Sequence, residues 1–314
     1  MNIVFAEPIG LTLGEVQGFV AEMKNLGHSV TFFDNVPSGQ DELLKRVAKA
    51  DIIVVSNYAV SASVIENAPN LKFIDVAFTG VDHIATAECK KRSIQVSNAA
   101  GYSNQAVAEL TIAMAIDLLR KITPADAVTR SLGGRAGFLG QELMGKTFGI
   151  MGLGQIGKRV AQLASAFGCR VIAWTRTHSK GDNVEHVEFE QLFKQSDILS
   201  IHLPLTPQTQ NLIGIKEFEL MKPTAYLINT ARAKIIDSHV LADALTKPLI
   251  AGAAVDIYEK EPPIDADHPL LSVPNTLLLP HIGFATHEAI AHRSKIVLDN
   301  IRQWLNGKPQ NLVG

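Results

Sequence analysis

The sequence predicts an α/β protein with two parallel β-sheets, each covered by helices. Short runs of β-branched and other apolar residues alternate with amphipathic stretches, which is the pattern of a parallel sheet flanked by helices. This alternation occurs in two series, separated by a segment rich in glycine, arginine and serine. At about 100–200 residues per domain, the 314 residues fit two domains, each long enough to bury its own core.

The first series lies within the first hundred residues. Its helix at residues 13–26 ends before Gly27. Its predicted strands cover residues 3–6, 29–33, 51–55, 71–77 and 95–97. These strands are sufficient for one small open sheet of the flavodoxin-like kind.

The second series begins after a long helix predicted at residues 104–119, whose apolar positions recur all round and which we expect to be buried. Residues 121–145 are weakly periodic and are interpreted as a linker or an oligomer-contact arm. Six strands follow, at residues 147–151, 170–174, 198–201, 225–228, 251–255 and 276–279. Six strands at this spacing fit a Rossmann-like, doubly wound sheet.

A final helix at residues 287–305 is too short to form a domain, so we expect it to pack on the first sheet. The second series is then inserted into the first domain. The predicted boundaries are residues 1–99 with 286–314 for the smaller domain, and residues 100–285 for the inserted one.

Composition excludes several classes of partner. The chain has 29 basic and 31 acidic side chains, so it offers no excess positive charge for nucleic acid or an anionic membrane. The longest apolar stretch, residues 110–119, is shorter than the roughly 20 residues of a membrane span. The acidic start does not resemble a signal peptide. Two distant cysteines, Cys89 and Cys169, fit a reducing compartment, so we expect a cytoplasmic protein without a metal site.

A glycine-rich motif opens the second series between a strand and a helix. Gly152, Gly154 and Gly157 form the pattern G-x-G-x-x-G, with Gln155 and Ile156 between the last two. In this context the first glycine permits a tight turn, the second admits a pyrophosphate, and the third lets helix and strand pack closely. The helix N-terminus then holds the anion. The motif predicts dinucleotide binding, and the alternative is an ordinary glycine-rich turn.

The end of the next strand bears on the choice of cofactor. NAD-preferring folds place an Asp or Glu there to bind the ribose hydroxyls, whereas this chain has Thr175 and Arg176. A guanidinium can bind a 2′-phosphate through charge-assisted hydrogen bonds. The sequence therefore favours NADP over NAD, and the alternative is a solvated Arg176 in an enzyme that accepts both.

Polar side chains follow the last three predicted strands, at the edge where open α/β sheets bind their ligands. They include Arg232, Glu261 and His281. Hydride transfer to a carbonyl needs a proton donor, and histidine suits this role because its pKa lies near neutrality. A carboxylate such as Glu261 can fix the histidine tautomer, and an arginine such as Arg232 can hold a substrate carboxylate. Each residue alone has a structural explanation, but the combination favours an oxidoreductase.

These motifs, in this order over nearly the whole chain, resemble the D-isomer-specific 2-hydroxyacid dehydrogenases. The resemblance implies that Arg232 orients the substrate, that His281 is the acid/base and that Glu261 is its partner. It also implies cofactor contacts by Thr230 and Asp256. The activity implied is NAD(P)-dependent interconversion of a small D-2-hydroxy acid and its 2-keto acid.

The resemblance extends to the smaller domain and to assembly. Thr79, Gly80 and Val81 resemble the family's substrate-carboxylate loop, where the backbone amides of Gly80 and Val81 would meet the anion. Family members are typically homodimers joined through the nucleotide domain, which suits residues 121–145 as a contact arm.

Two positions depart from the family pattern, in addition to the missing ribose-binding acid at Thr175 and Arg176. Ala233 replaces a usual glycine, and Phe284 replaces a small residue near the predicted acid/base. Val55 and Asp75 stand near positions where phosphoglycerate dehydrogenases carry arginines, and a carboxylate at position 75 would repel a phosphate. A phosphoglycerate substrate is therefore disfavoured.

Two further functions are compatible with these motifs. A dinucleotide-sensing, corepressor-like protein can keep the same fold and the same polar residues. A formate dehydrogenase is a poorer match, because that enzyme usually has glutamine in place of Glu261.

Overall fold

The structure is a computed structural model that describes residues 1–176, 184–260 and 263–313. The strands are β1 (Asn2–Phe5), β2 (Ser29–Phe32), β3 (Ile52–Val55), β4 (Phe73–Val76), β5 (Gln95–Asn98), β6 (Thr147–Met151), β7 (Arg170–Trp174), β8 (Glu185–His186), β9 (Ile198–Ile201), β10 (Tyr226–Asn229), β11 (Gly252–Val255) and β12 (Thr276–Leu278). The helices are α1 (Leu13–Asn25), α2 (Gln40–Val47), α3 (Ala62–Glu66), α4 (Thr86–Lys91), α5 (Asn104–Arg120), α6 (Ile122–Arg130), α7 (Gln155–Ala166), α8 (Phe189–Gln195), α9 (Ile215–Leu220), α10 (Ser238–Thr246) and α11 (His287–Leu305).

The chain divides into two compact units. Unit 1 consists of Met1–Ser103 and Thr286–Gly314, and unit 2 is Asn104–Ala285. No helix in the described ranges combines the length and hydropathy required to cross a membrane.

Unit 1 contains a five-stranded parallel sheet in the order β2-β1-β3-β4-β5. This is the flavodoxin-like order, so the predicted fold class is confirmed. Strands β3 and β4 are buried along their whole length, as strands covered on both faces are. Helix α11 packs on β4, and the chain after it lines the edge of β5, where the Val313 amide donates to the Val96 carbonyl at 2.9 Å.

Unit 2 contains a seven-stranded parallel sheet in the order β12-β11-β10-β9-β6-β7-β8. The order reverses between β6 and β9, which is the switch point where doubly wound sheets bind dinucleotides. Helix α5 is largely buried and packs on α7. One of the seven strands, β8, was not predicted, because two residues are too few to carry a periodic signal.

The segment at residues 121–145, which the sequence indicated as a linker or an oligomer-contact arm, is partly helical. It begins with helix α6, whose side chains are all at least partly exposed. Lys121 lies between α5 and α6 in a left-handed conformation with φ 55°. Helix α6 buries no apolar side chain within unit 2, and its sequence contains Pro124 and several β-branched residues of low helix propensity, which is why no helix was predicted there.

Candidate active site

The glycine-rich loop between β6 and α7 has the geometry that its sequence predicts. Gly152 has φ +101°, and a Cβ there would lie 2.7 Å from the carbonyl oxygen of His202. A Cβ on Gly157 would collide with the Gly152 carbonyl oxygen. Both positions therefore require glycine, the first for its backbone conformation and both for close packing.

Gly154 is different, because a Cβ there would meet nothing within 4 Å. It is the exposed N-cap of α7 and contributes no side chain to cap the helix. The amides of Gln155, Ile156 and Gly157 belong to the first turn, whose N–H groups have no partner within the helix. Open space over uncapped amides at a helix N-terminus fits the pyrophosphate of a dinucleotide.

The end of β7 lies beside this loop, since the amide of Gly152 donates to the carbonyl of Trp174 at 2.9 Å. Thr175 and Arg176 follow Trp174 directly, and the Arg176 side chain is exposed. The structure thus brings a guanidinium-bearing residue to the strand end where the adenosine ribose binds in folds of this kind.

Asn229, at the end of β10, shapes the turn that presents Arg232. Its Oδ1 accepts from the Ala231 amide at 3.0 Å, and its Nδ2 donates to the Arg232 carbonyl at 3.1 Å. The Arg232 guanidinium is half-buried and donates to the Ala231 carbonyl. No role was predicted for Asn229, although asparagine before a turn is a known signal for such bonds.

Thr230, in the same turn, is anchored from α5. Its hydroxyl lies 3.3 Å from that of Thr111, whose own hydrogen is donated to the Val107 carbonyl at 2.8 Å. Thr230 is therefore the donor in the pair, and the remaining lone pairs of its oxygen can accept a further hydrogen bond.

Asp256 holds the turn that carries His281. This buried carboxylate follows β11, and its two oxygens accept from the amides of Ile282 at 2.8 Å and Gly283 at 2.7 Å. A Cβ on Gly283 would lie 2.8 Å from Asp256 Oδ2, so only glycine permits this approach. Asp256 was predicted as a cofactor contact, and its bonds to the His281 turn went unforeseen.

His281 itself has φ +57°, the left-handed region that few residues other than glycine occupy. Such strain persists where surrounding contacts hold the backbone, and here the Asp256 carboxylate supplies them. The half-buried imidazole meets the Phe284 ring edge-on, with centroids 5.5 Å apart. Its predicted partner, Glu261, lies outside the residues that the structure describes.

The Arg232, Asp256 and His281 segments follow three neighbouring parallel strands, β10, β11 and β12. Because neighbouring strands lie about 4.8 Å apart, these segments share one edge of the sheet. Another histidine at this edge, His202, bonds Ser200 Oγ at 2.9 Å, and burial lowers its pKa to about 3. His202 is therefore neutral near pH 7 and is no proton donor to a substrate.

In unit 1, the predicted substrate loop follows β4 at the carboxyl edge of the sheet. Thr79 is exposed, and Gly80 and Val81 are half-buried. The Phe78 carbonyl accepts from the Ala99 amide at 2.9 Å, and the Thr79 carbonyl accepts from Asn98 Nδ2 at 2.7 Å.

A buried pair of opposite charges supports the neighbouring loops of unit 1. The Glu7 carboxylate accepts from the amides of Ser56 at 2.6 Å and Tyr58 at 2.9 Å. Burial raises the pKa of Glu7, and the positive charge of Arg293 partly opposes that rise. The Arg293 guanidinium also lies 5.1 Å from the centre of the Phe78 ring, the residue before the predicted substrate loop.

Comparison with known proteins places these features in one family. Residues 112–283 match the model of the NAD-binding domain of the D-isomer specific 2-hydroxyacid dehydrogenases. The chain is 40% identical to a glyoxylate reductase of Thermococcus litoralis over 285 residues, which cover 86% of each protein. It is 36% identical to a D-3-phosphoglycerate dehydrogenase of Archaeoglobus fulgidus, across 98% of this chain and 58% of that protein.

Solved structures agree with this likeness. An acyclic imino acid reductase, solved with NADPH and D-Arg, superposes with a TM-score of 0.91 at 31% identity, and the match covers the whole of both chains.

Proposed function

The chain belongs to the D-isomer specific 2-hydroxyacid dehydrogenases, and from this premise we propose that it reduces a small 2-keto acid, glyoxylate or hydroxypyruvate, to the D-2-hydroxy acid with NADPH. One observation carries the proposal. The Asp256 carboxylate holds His281 in a left-handed turn on the same sheet edge as Arg232, in the unit that carries the glycine-rich loop.

Each residue has a distinct task in this reaction. The nicotinamide supplies the hydride when the cofactor is bound. His281 gives a proton to the oxygen of the substrate carbonyl, and its fixed backbone means that little reorganisation is needed at that moment. Arg232 binds the substrate carboxylate through two parallel bonds. We assign Glu261 to stabilising the imidazolium that donates this proton, and Thr230 and Asp256 to the nicotinamide end of the cofactor.

We propose a preference for NADP because of the residues that follow β7. Arg176 is exposed one residue beyond Thr175, close to the Gly152 turn, and a guanidinium there favours the 2′-phosphate. A carboxylate in the same place would favour NAD instead.

The substrate anion is proposed to bind the amides that follow β4, at Thr79, Gly80 and Val81. Asp75 does not act against phosphoglycerate by charge repulsion, as its sequence position suggested. It is fully buried, where Ser97 and Asn300 bond its carboxylate. Val55 is also fully buried. Neither position can offer a side chain to a phosphate, and this supports a substrate without one.

A homodimer is proposed through the arm at residues 121–145. Large apolar side chains are exposed there, with Leu132 at 96%, Leu139 at 93% and Met144 at 72%. Two cavities of about 360 and 390 Å³ share Ile116 and Arg120 in their linings, and Met144 lines the first. Exposed apolar groups of this kind mark surfaces that another protein covers, and we assign a second copy of this chain.

The dimer is tested by sedimentation equilibrium of the double variant Leu132→Asp, Leu139→Asp. We expect a monomer, while Leu13→Asp, in the 73% exposed first position of α1, stays dimeric. The cytoplasm is the proposed compartment, in keeping with Cys89 and Cys169, which are both free thiols.

The activity is tested by following NADPH and NADH oxidation with glyoxylate, hydroxypyruvate, pyruvate, 3-phosphohydroxypyruvate and bulkier keto acids. The wild type should turn over glyoxylate or hydroxypyruvate. His281→Asn should lower kcat by about 1,000-fold or more without loss of folding, because asparagine tolerates the left-handed conformation. No turnover with any keto acid would refute the proposal.

Cofactor preference is read from the same assay. Arg176→Ala should raise KM for NADPH by about tenfold and leave KM for NADH within about threefold. An equal loss with both cofactors would exclude the proposed role of Arg176.

A second candidate activity is reduction of an imine of the same keto acids. It is favoured by the superposition with the acyclic imino acid reductase. Adding methylamine to the glyoxylate assay distinguishes the two, because an imine reductase would then form an N-methyl amino acid that mass spectrometry detects.

A further inference from the structure

The amide side chain of Asn98 is bound directly to the loop proposed to hold the substrate carboxylate. Asn98 is the last residue of β5 and is 7% exposed. Its Nδ2 donates to the Thr79 carbonyl at 2.7 Å, and its Oδ1 accepts from the Ala100 amide at 3.2 Å. Asn98 thus links the turn after β5 to the turn after β4.

The backbone of Asn98 is held as firmly as its side chain. Its amide donates to the Asn311 carbonyl at 3.1 Å, and its carbonyl accepts from Asn300 Nδ2, also at 3.1 Å. Asn300 Oδ1 in turn accepts from Asn311 Nδ2 at 2.8 Å. Every polar group of Asn98 is therefore engaged, and its side chain has one orientation in which both side-chain bonds can form.

A hydrogen bond that fixes the direction of a carbonyl also fixes the direction of the N–H in the same peptide group. A trans peptide is planar, so its C=O and N–H point in opposite directions. The Phe78 carbonyl is held by the Ala99 amide and the Thr79 carbonyl by Asn98. The N–H groups of Thr79 and Gly80 must then point away from the β5 turn.

In a β-strand, successive carbonyl groups point to opposite sides of the strand. The carbonyls of Phe78 and Thr79 instead both bond the turn after β5, so the backbone here is not that of a strand. Successive N–H groups that face one direction form a concave anion site. Within the described ranges, the amides of Thr79 and Gly80 donate to no acceptor of the protein. The half-buried Gly80 brings no side chain to obstruct them.

We propose that Asn98 is a positioning residue for the substrate, which fixes the Thr79–Gly80 peptide so that its N–H meets a carboxylate. This rests on the proposed function for the identity of that anion. The amides that meet the anion are then those of Thr79 and Gly80, rather than those of Gly80 and Val81.

The test compares three variants with the wild type. Asn98→Asp keeps the shape and the Oδ1 acceptor but removes the donor, and Asn98→Ser removes the donor without adding charge. Asn67→Ser is the matched control, because Asn67 Nδ2 donates to the Ser63 carbonyl at 2.8 Å in the same unit, at the end of α3. Thermal unfolding of all four proteins establishes that each is folded.

Steady-state kinetics with glyoxylate should show KM raised about 10- to 100-fold in both Asn98 variants, with kcat and the KM for NADPH within about threefold. The control should match the wild type. The methyl ester of glyoxylate carries no charge, so its KM should rise far less. An equal rise for acid and ester, or no rise for either, would overturn the proposal.

A binding measurement separates this proposal from the proposed activity. If the wild type reduces no keto acid, the proposed function fails, and calorimetric titration of the NADP-loaded proteins with oxalate still examines Asn98. Weaker oxalate binding in the folded Asn98 variants, but not in Asn67→Ser, would support the positioning role. Equal oxalate affinity in all four proteins would refute it.

Discussion

The turns to which we assign a function are built differently in the two units. In unit 2, glycine conformation shapes one of them, since Gly152 occupies φ +101° and Gly157 packs on its carbonyl, while the side chains of Asn229 and Asp256 bond the turns of Arg232 and His281. In unit 1, amide side chains do the shaping, since Asn98 bonds the Thr79 carbonyl and Asn300 bonds Asn98.

The glycine-rich loop and the Asn98 contacts also differ in how far apart in sequence their partners lie. The unit 2 glycines act within a few residues of one another, whereas Asn300 reaches Asn98 and Asp75 from the far end of the chain. Each unit also contains an aspartate that is almost fully buried, Asp256 in unit 2 and Asp75 in unit 1. Of these two, only Asp256 bonds a turn to which we assign a function, so the pair allows the comparison to be tested directly.

Among the variants that test this comparison, Asp256→Asn is expected to have the largest effect on kcat. An amide nitrogen would face one of the two amides that the carboxylate now accepts, so the turn at His281 would lose an anchor. A displacement of about 1 Å at a catalytic group costs roughly 100-fold in rate, and we expect kcat at saturating NADPH to fall by about that factor.

Asp75→Asn is the control for this prediction and should leave kcat within about threefold. Equal losses of kcat in both variants would show that the effect of Asp256→Asn does not arise from its bonds to the His281 turn, and the contrast between the units would be lost.

A smaller effect is expected at the glycine-rich loop, where two substitutions should separate folding from cofactor binding. Gly154→Ala adds a methyl group in open space, so its melting temperature should match the wild type while KM for NADPH rises about tenfold. Gly152→Ala should lower the melting temperature as well, because its φ and the His202 carbonyl both oppose a side chain. Differential scanning fluorimetry gives the melting temperatures, and steady-state kinetics gives KM.

The smallest effect concerns the pH dependence of unit 1. Burial raises the pKa of Asp75 to about 7, although Ser97 and Asn300 bond its carboxylate. In the unfolded chain this group ionises at about pH 3.9. Between those two pH values the folded state binds more protons than the unfolded state, so the contribution of Asp75 to stability falls as pH rises.

Asp75→Asn removes that dependence. The quantity to measure is the melting temperature of the variant minus that of the wild type. This difference should be roughly 5 °C larger at about pH 8 than at about pH 5. The same difference at both pH values would mean that Asp75 does not ionise in this range.

The sequence predicted those parts of the fold that are determined by residues close together in the chain. The two sheets, the glycine-rich loop and the helix at α11 follow from apolar alternation and from glycine spacing, and the fold class is confirmed. Helix α6 was missed because Pro124 and its β-branched residues have low helix propensity, and β8 was missed because it has only two residues.

The contacts that support the site could not be predicted from the sequence, for a different reason. Asp256 meets the Gly283 amide across 27 positions and Asn300 meets Asn98 across 202, and no spacing rule links such pairs. Only the Asn229 turn, whose partners are three residues away or fewer, had a readable signal. The roles assigned to Arg232, Glu261 and His281 stay predictions until variants are measured.

The return of the chain to unit 1 through α11 has a consequence for biosynthesis. At about 5–20 residues per second, the ribosome spends roughly 10–40 s on unit 2 after it has made the strands of unit 1. Throughout that interval β4 lacks the helix that covers it, and Asp75 lacks the amide of Asn300. The nascent chain therefore exposes an incomplete apolar sheet until α11 has been synthesised, while the contiguous unit 2 is free to fold first.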